Sequence, residues 1–131
     1  MHTIVLSDMH LSETVAPEPK RPLWMAYKHR EHFIDEDFAR LLAHFDQHLD
    51  GPIELVLNGD VFDFDNVTQL PDDPEGHIDW LSRLRGLASE EWMSNFKMRC
   101  IIADHGPWFE ALAHFIECGH RVVFICRWRL K

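Results

Sequence analysis

The sequence predicts an α/β fold, with a mostly parallel sheet and flanking helices, in a chain of 131 residues. Three short runs, residues 3–7, 54–58 and 121–125, are apolar at their centres, as in strands buried on both faces of a parallel sheet. Helical patterns separate the runs, and the order strand, helix, strand, helices, strand favours right-handed crossovers and parallel pairing. The length suits one domain.

The first helix is predicted over residues 30–49, between the first two strands. Asp50, Gly51 and Pro52 form a stop signal after it. The apolar residues recur at helical spacing and form one stripe. They are Ile34, Phe38, Leu41, Leu42, Phe45 and Leu49.

The segments around the second strand are predicted as loops and helices. Prolines indicate a loop over residues 12–29, and residues 66–76 read as another. Residues 77–104 look helical, with a break near Gly86. A last helix begins at Pro107, which suits a first helical turn, and ends at Gly119. Its expected apolar face is Phe109, Leu112, Ala113 and Ile116.

Charge and cysteine content narrow the function classes. The net charge of −9 disfavours nucleic acid and anionic lipid, because both bind positive surfaces. Three cysteines without C-x-x-C spacing argue against a disulfide framework and favour a cytoplasmic location. No leader peptide is recognisable at the start, and no apolar run is long enough to span a membrane.

Acidic residues and a histidine follow the first two predicted strands. Asp8 and His10 follow the first strand, and Asp60 follows the second. Ligands bind beyond the carboxyl ends of such strands, so these three side chains are expected to converge and bind a divalent metal. Gly59 allows a sharp backbone turn before Asp60, and Asp63 is placed to orient a ligating histidine from outside the ligand set.

The motifs Asp8-Met9-His10 and Gly59-Asp60-Val61-Phe62-Asp63 resemble the start of the calcineurin-like metallophosphoesterase family. The resemblance implies the N-terminal part of a two-sheet sandwich with two metal ions, drawn from Mn, Fe, Zn and Mg. Asp8 and His10 would bind the first ion, and Asp60 would bridge both. It further implies a hydrolase, a phosphatase in the broad sense, in which a metal-bound hydroxide attacks a phosphoester or pyrophosphate in line. The substrate is phosphorylated and otherwise unspecified.

The sequence departs from the family after the third strand. The family's Gly-Asn-His motif, which supplies a ligand to the second metal and a histidine for the leaving group, does not occur; residues 126–131 stand there instead. A frameshift, a premature stop or a deliberate fragment would each give this ending. We therefore expect residues 1–131 to form a single, incomplete domain, weak or inactive as an enzyme, with exposed apolar surface that favours self-association.

Rival interpretations remain open. The chain is alternatively a non-enzymatic remnant that binds at most one metal ion or a protein partner. A nucleotide-binding domain without metal is disfavoured, because no Gly-rich phosphate loop follows a strand. His105 or His120 could replace missing ligands, although His120 lies at the wrong end of its strand. The His44 and His48 pair is expected on an exposed helix face.

Overall fold

The computed structural model describes residues 1–13, 34–67, 69–72, 78, 80–81 and 91–125. These residues group into two compact units. The first unit includes residues 1–11, 34–62 and 105–125, and the second includes 12–13 together with the described part of 63–104. Most of the predicted loop 12–29, the predicted break near Gly86 and the tail 126–131 lie outside the described residues. The single domain over residues 1–131 stays a prediction.

The first unit is built on a three-stranded parallel sheet, as predicted. Its strands are β1 (His2–Leu6), β2 (Ile53–Asn58) and β3 (Arg121–Ile125), in the order β1-β2-β3. Leu6 lies beside Leu57, which lies beside Phe124. The carboxyl ends of all three strands therefore reach the same edge of the sheet.

The central strand β2 supplies the buried side of the sheet. Ile53, Leu55 and Leu57 are at most 1 % exposed, and burying each such side chain stabilises the fold by about 1.5–3 kcal/mol. Phe124 shares this side, because it is in register with Leu57, and its ring stacks on Phe62. Phe62 also contacts the rings of Trp108 and Phe109, which belong to a helix, so helices cover this side of the sheet.

The prediction that the strands are buried on both faces is wrong. Side chains alternate across a strand, and the second face carries Val5, Val56, Val123 and Ile125. Val5 is 59 % exposed and Ile125 is 47 % exposed. Within the described part of the chain, β1 and β3 are both edge strands and no helix packs on this open face. An uncovered apolar face was expected from the sequence, and the exposure of these residues agrees with it.

Two helices that run in the same direction cover the face of the sheet that carries Leu55 and Leu57. The helix α1 spans Asp35–His48, and its buried residues Phe38 and Leu42 belong to the predicted stripe. The helix's first turn carries three acidic residues, which interact favourably with the positive end of its dipole. Gly51 adopts a φ of 90° beyond the helix end, in agreement with the predicted stop.

In the second unit, the helix α2 spans Glu91–Asp104 within the predicted helical segment 77–104. Met93 packs with Ile78 in a buried cluster, and Leu70 and Phe96 lie against it. A 3-10 turn, Phe64–Asn66, follows Asp63. No helix in the described ranges is long and apolar enough to cross a membrane.

The helix α3 spans Gly106–Glu117 in the first unit, close to the predicted bounds, with Pro107 in its first turn. Its predicted apolar face is partly wrong. The buried residues are Trp108, Leu112 and Phe115, whereas Ile116 is 51 % exposed. Trp108 takes the central place because its ring stacks on Phe38 of α1, with centroids 4.7 Å apart, which turns the helix away from the expected orientation.

Candidate metal centre

The loops that follow β1 and β2 are joined by backbone hydrogen bonds. The His10 N–H donates to the Asp60 carbonyl at 2.9 Å, and the Leu11 N–H donates to the Val61 carbonyl at 2.8 Å. Leu11 and Phe62 form a short parallel bridge. The pairing of the two strands therefore continues past the sheet edge, and it places the residues around His10 beside Asp60.

A hydrogen bond also joins the loop that follows β2 to the third strand, β3. The N–H of Gly59 donates to the carbonyl of Ile125 at 2.9 Å. Gly59 is buried and adopts a φ of 66°, which glycine tolerates at little cost. The predicted role of Gly59 as the turn before Asp60 is thus confirmed.

The three predicted ligands all adopt left-handed backbone. The φ angles are 57° at Asp8, 50° at His10 and 42° at Asp60. Such angles cost about 1–3 kcal/mol for a residue other than glycine, and they concentrate at functional sites. No other residue except glycine has a positive φ in the described ranges. The strain of this backbone is therefore confined to the residues that the sequence marks as ligands.

The side chains of these residues converge as predicted. The ligand atoms offered by Asp8, His10 and Asp60 all lie within 4.8 Å of one another. The distance from His10 Nε2 to Asp8 Oδ1 is 3.8 Å, which is too long for a hydrogen bond. Two ligands of one ion are at most about 4.2 Å apart, so a limit of 4.8 Å brings the three side chains close to the separation that shared coordination requires.

The chemistry of this donor set fits a divalent cation. Two carboxylates at this separation repel, and a divalent ion placed between them removes the repulsion. Among the described residues, the ionisable neighbour of Asp8 is His10, and no lysine or arginine forms an ion pair that would neutralise the Asp8 carboxylate. Oxygen and imidazole ligands suit Mg, Mn, Fe and Zn ions. The site is open to solvent, since both carboxylates are exposed.

Comparisons with models of protein families, with curated proteins and with solved structures gave no match. The resemblance to the metallophosphoesterases therefore stays a prediction from the two sequence motifs.

Asp63 has a defined local role. Its Oδ1 accepts from the Asp65 N–H at 3.1 Å, and its Oδ2 accepts from the Asn66 side-chain amide. Asp63 thereby caps the 3-10 turn Phe64–Asn66. Asp63 belongs to the second unit and the three ligands to the first, so its predicted orienting role stays a prediction.

The other histidines considered as ligands are engaged elsewhere. His105 Nδ1 lies 2.7 Å from Asp35 Oδ1 inside the first unit. His120 Nδ1 accepts from the Ile53 N–H at 3.2 Å, and its Nε2 lies 2.8 Å from Asp46 Oδ1. His120 enters β3 at its amino end, as expected. The His44 and His48 rings stack on the exposed face of α1, also as expected.

The buried pair of Asp35 and His105 was not predicted from the sequence. Their side chains are 0 % and 3 % exposed, and Asp35 Oδ2 and Trp108 Nε1 are buried without a hydrogen-bond partner. Asp35 reads as an ordinary acidic residue at a helix start. No local signal in the sequence links it to a residue 70 positions away.

Proposed function

We propose that Asp8, His10 and Asp60 bind a divalent metal ion, and that this centre serves hydrolysis of a phosphoester or pyrophosphate. The observation that carries the metal site is the convergence of three ligand side chains on two joined loops. The left-handed backbone at all three positions adds support, because strain confined to a ligand set is typical of functional sites.

The three proposed ligands differ in charge and in the atom that they offer to the metal. Asp8 and Asp60 contribute negative charge, and His10 contributes a neutral imidazole nitrogen, so the set favours a divalent over a monovalent cation. The Asp60 loop is fixed by β1 on one side and β3 on the other, so Asp60 is suited to the bridging position that the resemblance implies. When bound, the metal would activate water and neutralise phosphoryl oxygens.

We expect one tightly bound ion per chain and weak hydrolysis. The three converging ligands suit one ion, and a second ion would share only Asp60 among them. The sequence has no Gly-Asn-His motif to complete a second site. In the non-enzymatic alternative, the open face of the sheet, with Val5 and Ile125 exposed, serves as a protein-binding surface and the metal has a structural role.

Titration calorimetry with Mn²⁺ tests the metal site. The wild-type chain is compared with Asp8→Asn, His10→Gln and Asp60→Asn, and with Asp72→Asn as a matched control. Asp72 is an exposed aspartate outside the site. We expect one site per chain, weakened about 10- to 100-fold or more by each ligand substitution and unchanged by Asp72→Asn. Equal Mn²⁺ affinity for the wild type and Asp60→Asn would refute the site.

Turnover of chromogenic phosphate monoesters and diesters tests the hydrolytic role separately. We expect a low rate that depends on added Mn²⁺ and disappears in Asp60→Asn. Metal binding without any turnover would support the non-enzymatic alternative and leave the metal site intact.

A further inference from the structure

The open face of the sheet is divided into rows by the register of its strands. In the row nearest the amino ends, Thr3 lies beside Glu54, which lies beside Arg121. The next row contains three valines, Val5, Val56 and Val123. Beyond it, Asn58 lies beside Ile125, which is 47 % exposed. The strands therefore place both charges of this face in one row, next to a row that is wholly apolar.

The charged row contains an ion pair that can accept a further partner. Arg121 Nε lies 3.3 Å from Glu54 Oε1, and the side chain of Arg121 is 72 % exposed. An arginine has five N–H donors in a planar fork, and within the described part of the chain only Nε of Arg121 forms an ion pair. Its terminal nitrogens are therefore available to a carboxylate of another molecule.

A second copy of the same face complements this pattern. Two sheets that pack face to face lie about 10 Å apart with their strands nearly aligned. A two-fold axis along the strands places the two β2 strands over each other and each β1 over the β3 of the other copy. The valine rows then meet, and each Arg121 reaches the Glu54 of the other copy. An axis across the strands would instead place Arg121 over Ile125, so the charges favour the first arrangement.

The size of the face determines how strong this contact can be. The strands have five, six and five residues. With strands about 4.8 Å apart and about 3.3 Å per residue, they cover roughly 14 by 17 Å. This extent is well below the roughly 800 Å² per partner of a standard interface. The association is therefore expected to be weak and to depend on concentration.

We propose that the open face pairs with the same face of a second copy about a two-fold axis along the strands. The valine rows form the centre of the contact, and reciprocal pairs of Arg121 with Glu54 fix its orientation. A two-fold contact uses one patch twice, so the carboxyl ends of both sheets lie at the same end of the dimer. The proposal is independent of the function proposed above, because none of the proposed metal ligands takes part.

Sedimentation velocity of the full chain in metal-free buffer tests the proposal by charge reversal. We expect the wild type to form a dimer at millimolar concentration. Glu54→Arg or Arg121→Glu alone should weaken it about 10-fold or more, because each places like charges opposite each other. An equimolar mixture of the two variants should recover the dimer, since a positive row then meets a negative one. A role confined to the pair within one chain gives no such recovery.

Controls separate charge reversal from loss of the fold. Arg40→Glu should leave association unchanged, because Arg40 is a 74 % exposed arginine of α1, outside the open face. Urea midpoints verify that each variant is folded. If Glu54→Arg does not fold, Thr3→Lys replaces it in the mixture, because Thr3 is exposed on β1 and lies opposite Arg121 of the second copy. A monomeric wild type, variants that associate as the wild type does, or a mixture without recovery would each overturn the proposal.

Discussion

The buried pair of Asp35 and His105 is expected to be a major determinant of stability in the first unit. The variant His105→Leu removes the partner of a carboxylate that is 0 % exposed and whose Oδ2 already lacks a hydrogen bond. Loss of one member of a buried pair costs about 3–5 kcal/mol, because the remaining charge stays uncompensated.

The same structure provides a second aspartate–histidine pair whose aspartate is exposed. Asp46 and His120 are joined at 2.8 Å, but the Asp46 side chain is 49 % exposed. Removing the aspartate by Asp46→Ala is expected to cost at most about 1 kcal/mol, because water already reaches Asp46 and the His120 ring keeps its hydrogen bond from the Ile53 N–H. The two pairs have nearly equal lengths, and the aspartate is 0 % exposed in the first and 49 % exposed in the second.

Urea unfolding followed by circular dichroism, in metal-free buffer, measures both losses. With a slope of about 2 kcal/mol per molar urea, His105→Leu should lower the midpoint by about 2 M, and Asp46→Ala by less than about 0.5 M. The double variant Asp35→Leu with His105→Leu should recover much of the loss, because it removes the buried charge. Similar midpoint shifts for His105→Leu and Asp46→Ala would refute this reasoning.

Three further predictions follow from the backbone, the thiols and the open sheet face. Asp60→Gly should raise the free energy of unfolding of the metal-free chain by about 0.5–1 kcal/mol, because glycine relieves left-handed strain, while calorimetry detects no Mn²⁺ binding; a destabilised variant would contradict it. Burial, reinforced by Glu13 and Asp104, raises the pKa of the Cys100 thiol above its ordinary value of 9.0. Because its thiolate is disfavoured in the folded state, stability should fall as pH rises above that value, and urea midpoints of Cys100→Ser should depend less on pH. Val5 is 59 % exposed, so Val5→Thr should reduce self-association in analytical ultracentrifugation without lowering the urea midpoint by more than about 0.3 M; unchanged association would exclude this face as the contact.

The parts of the fold that local patterns specify were predictable from the sequence. The apolar runs marked all three strands, and Gly59 followed by Asp60 marked a turn at a strand end. Because parallel strands end at the same edge of a sheet, the pairing of β1 with β2 brings Asp8 and His10 to the edge where Asp60 lies. The convergence of the ligands thus follows from topology and needed no knowledge of side-chain packing.

Features that depend on contacts between distant segments were not predictable in the same way. The exposure of Val5 depends on what covers the sheet, and an apolar strand looks alike whether one face or both are buried. The position of Trp108 follows from its stacking on Phe38, and the spacing of apolar residues along a helix does not indicate such a contact.

The Asp35 and His105 pair also has a consequence for the order of events during protein synthesis. The loops that carry Asp8 and Asp60 are complete once β2 has emerged from the ribosome, whereas Asp35 must wait for a histidine 70 residues further along the chain. Until then its carboxylate gains more from water than from the protein interior.

Docking of α1 onto the sheet is therefore expected to await the synthesis of α3. The nascent chain can pair β1 with β2 and bring together the proposed ligands Asp8, His10 and Asp60 while α1 remains solvated. The helical layer then closes late and in one step, because the arrival of His105 allows Asp35 to be buried as the ring of Trp108 reaches Phe38.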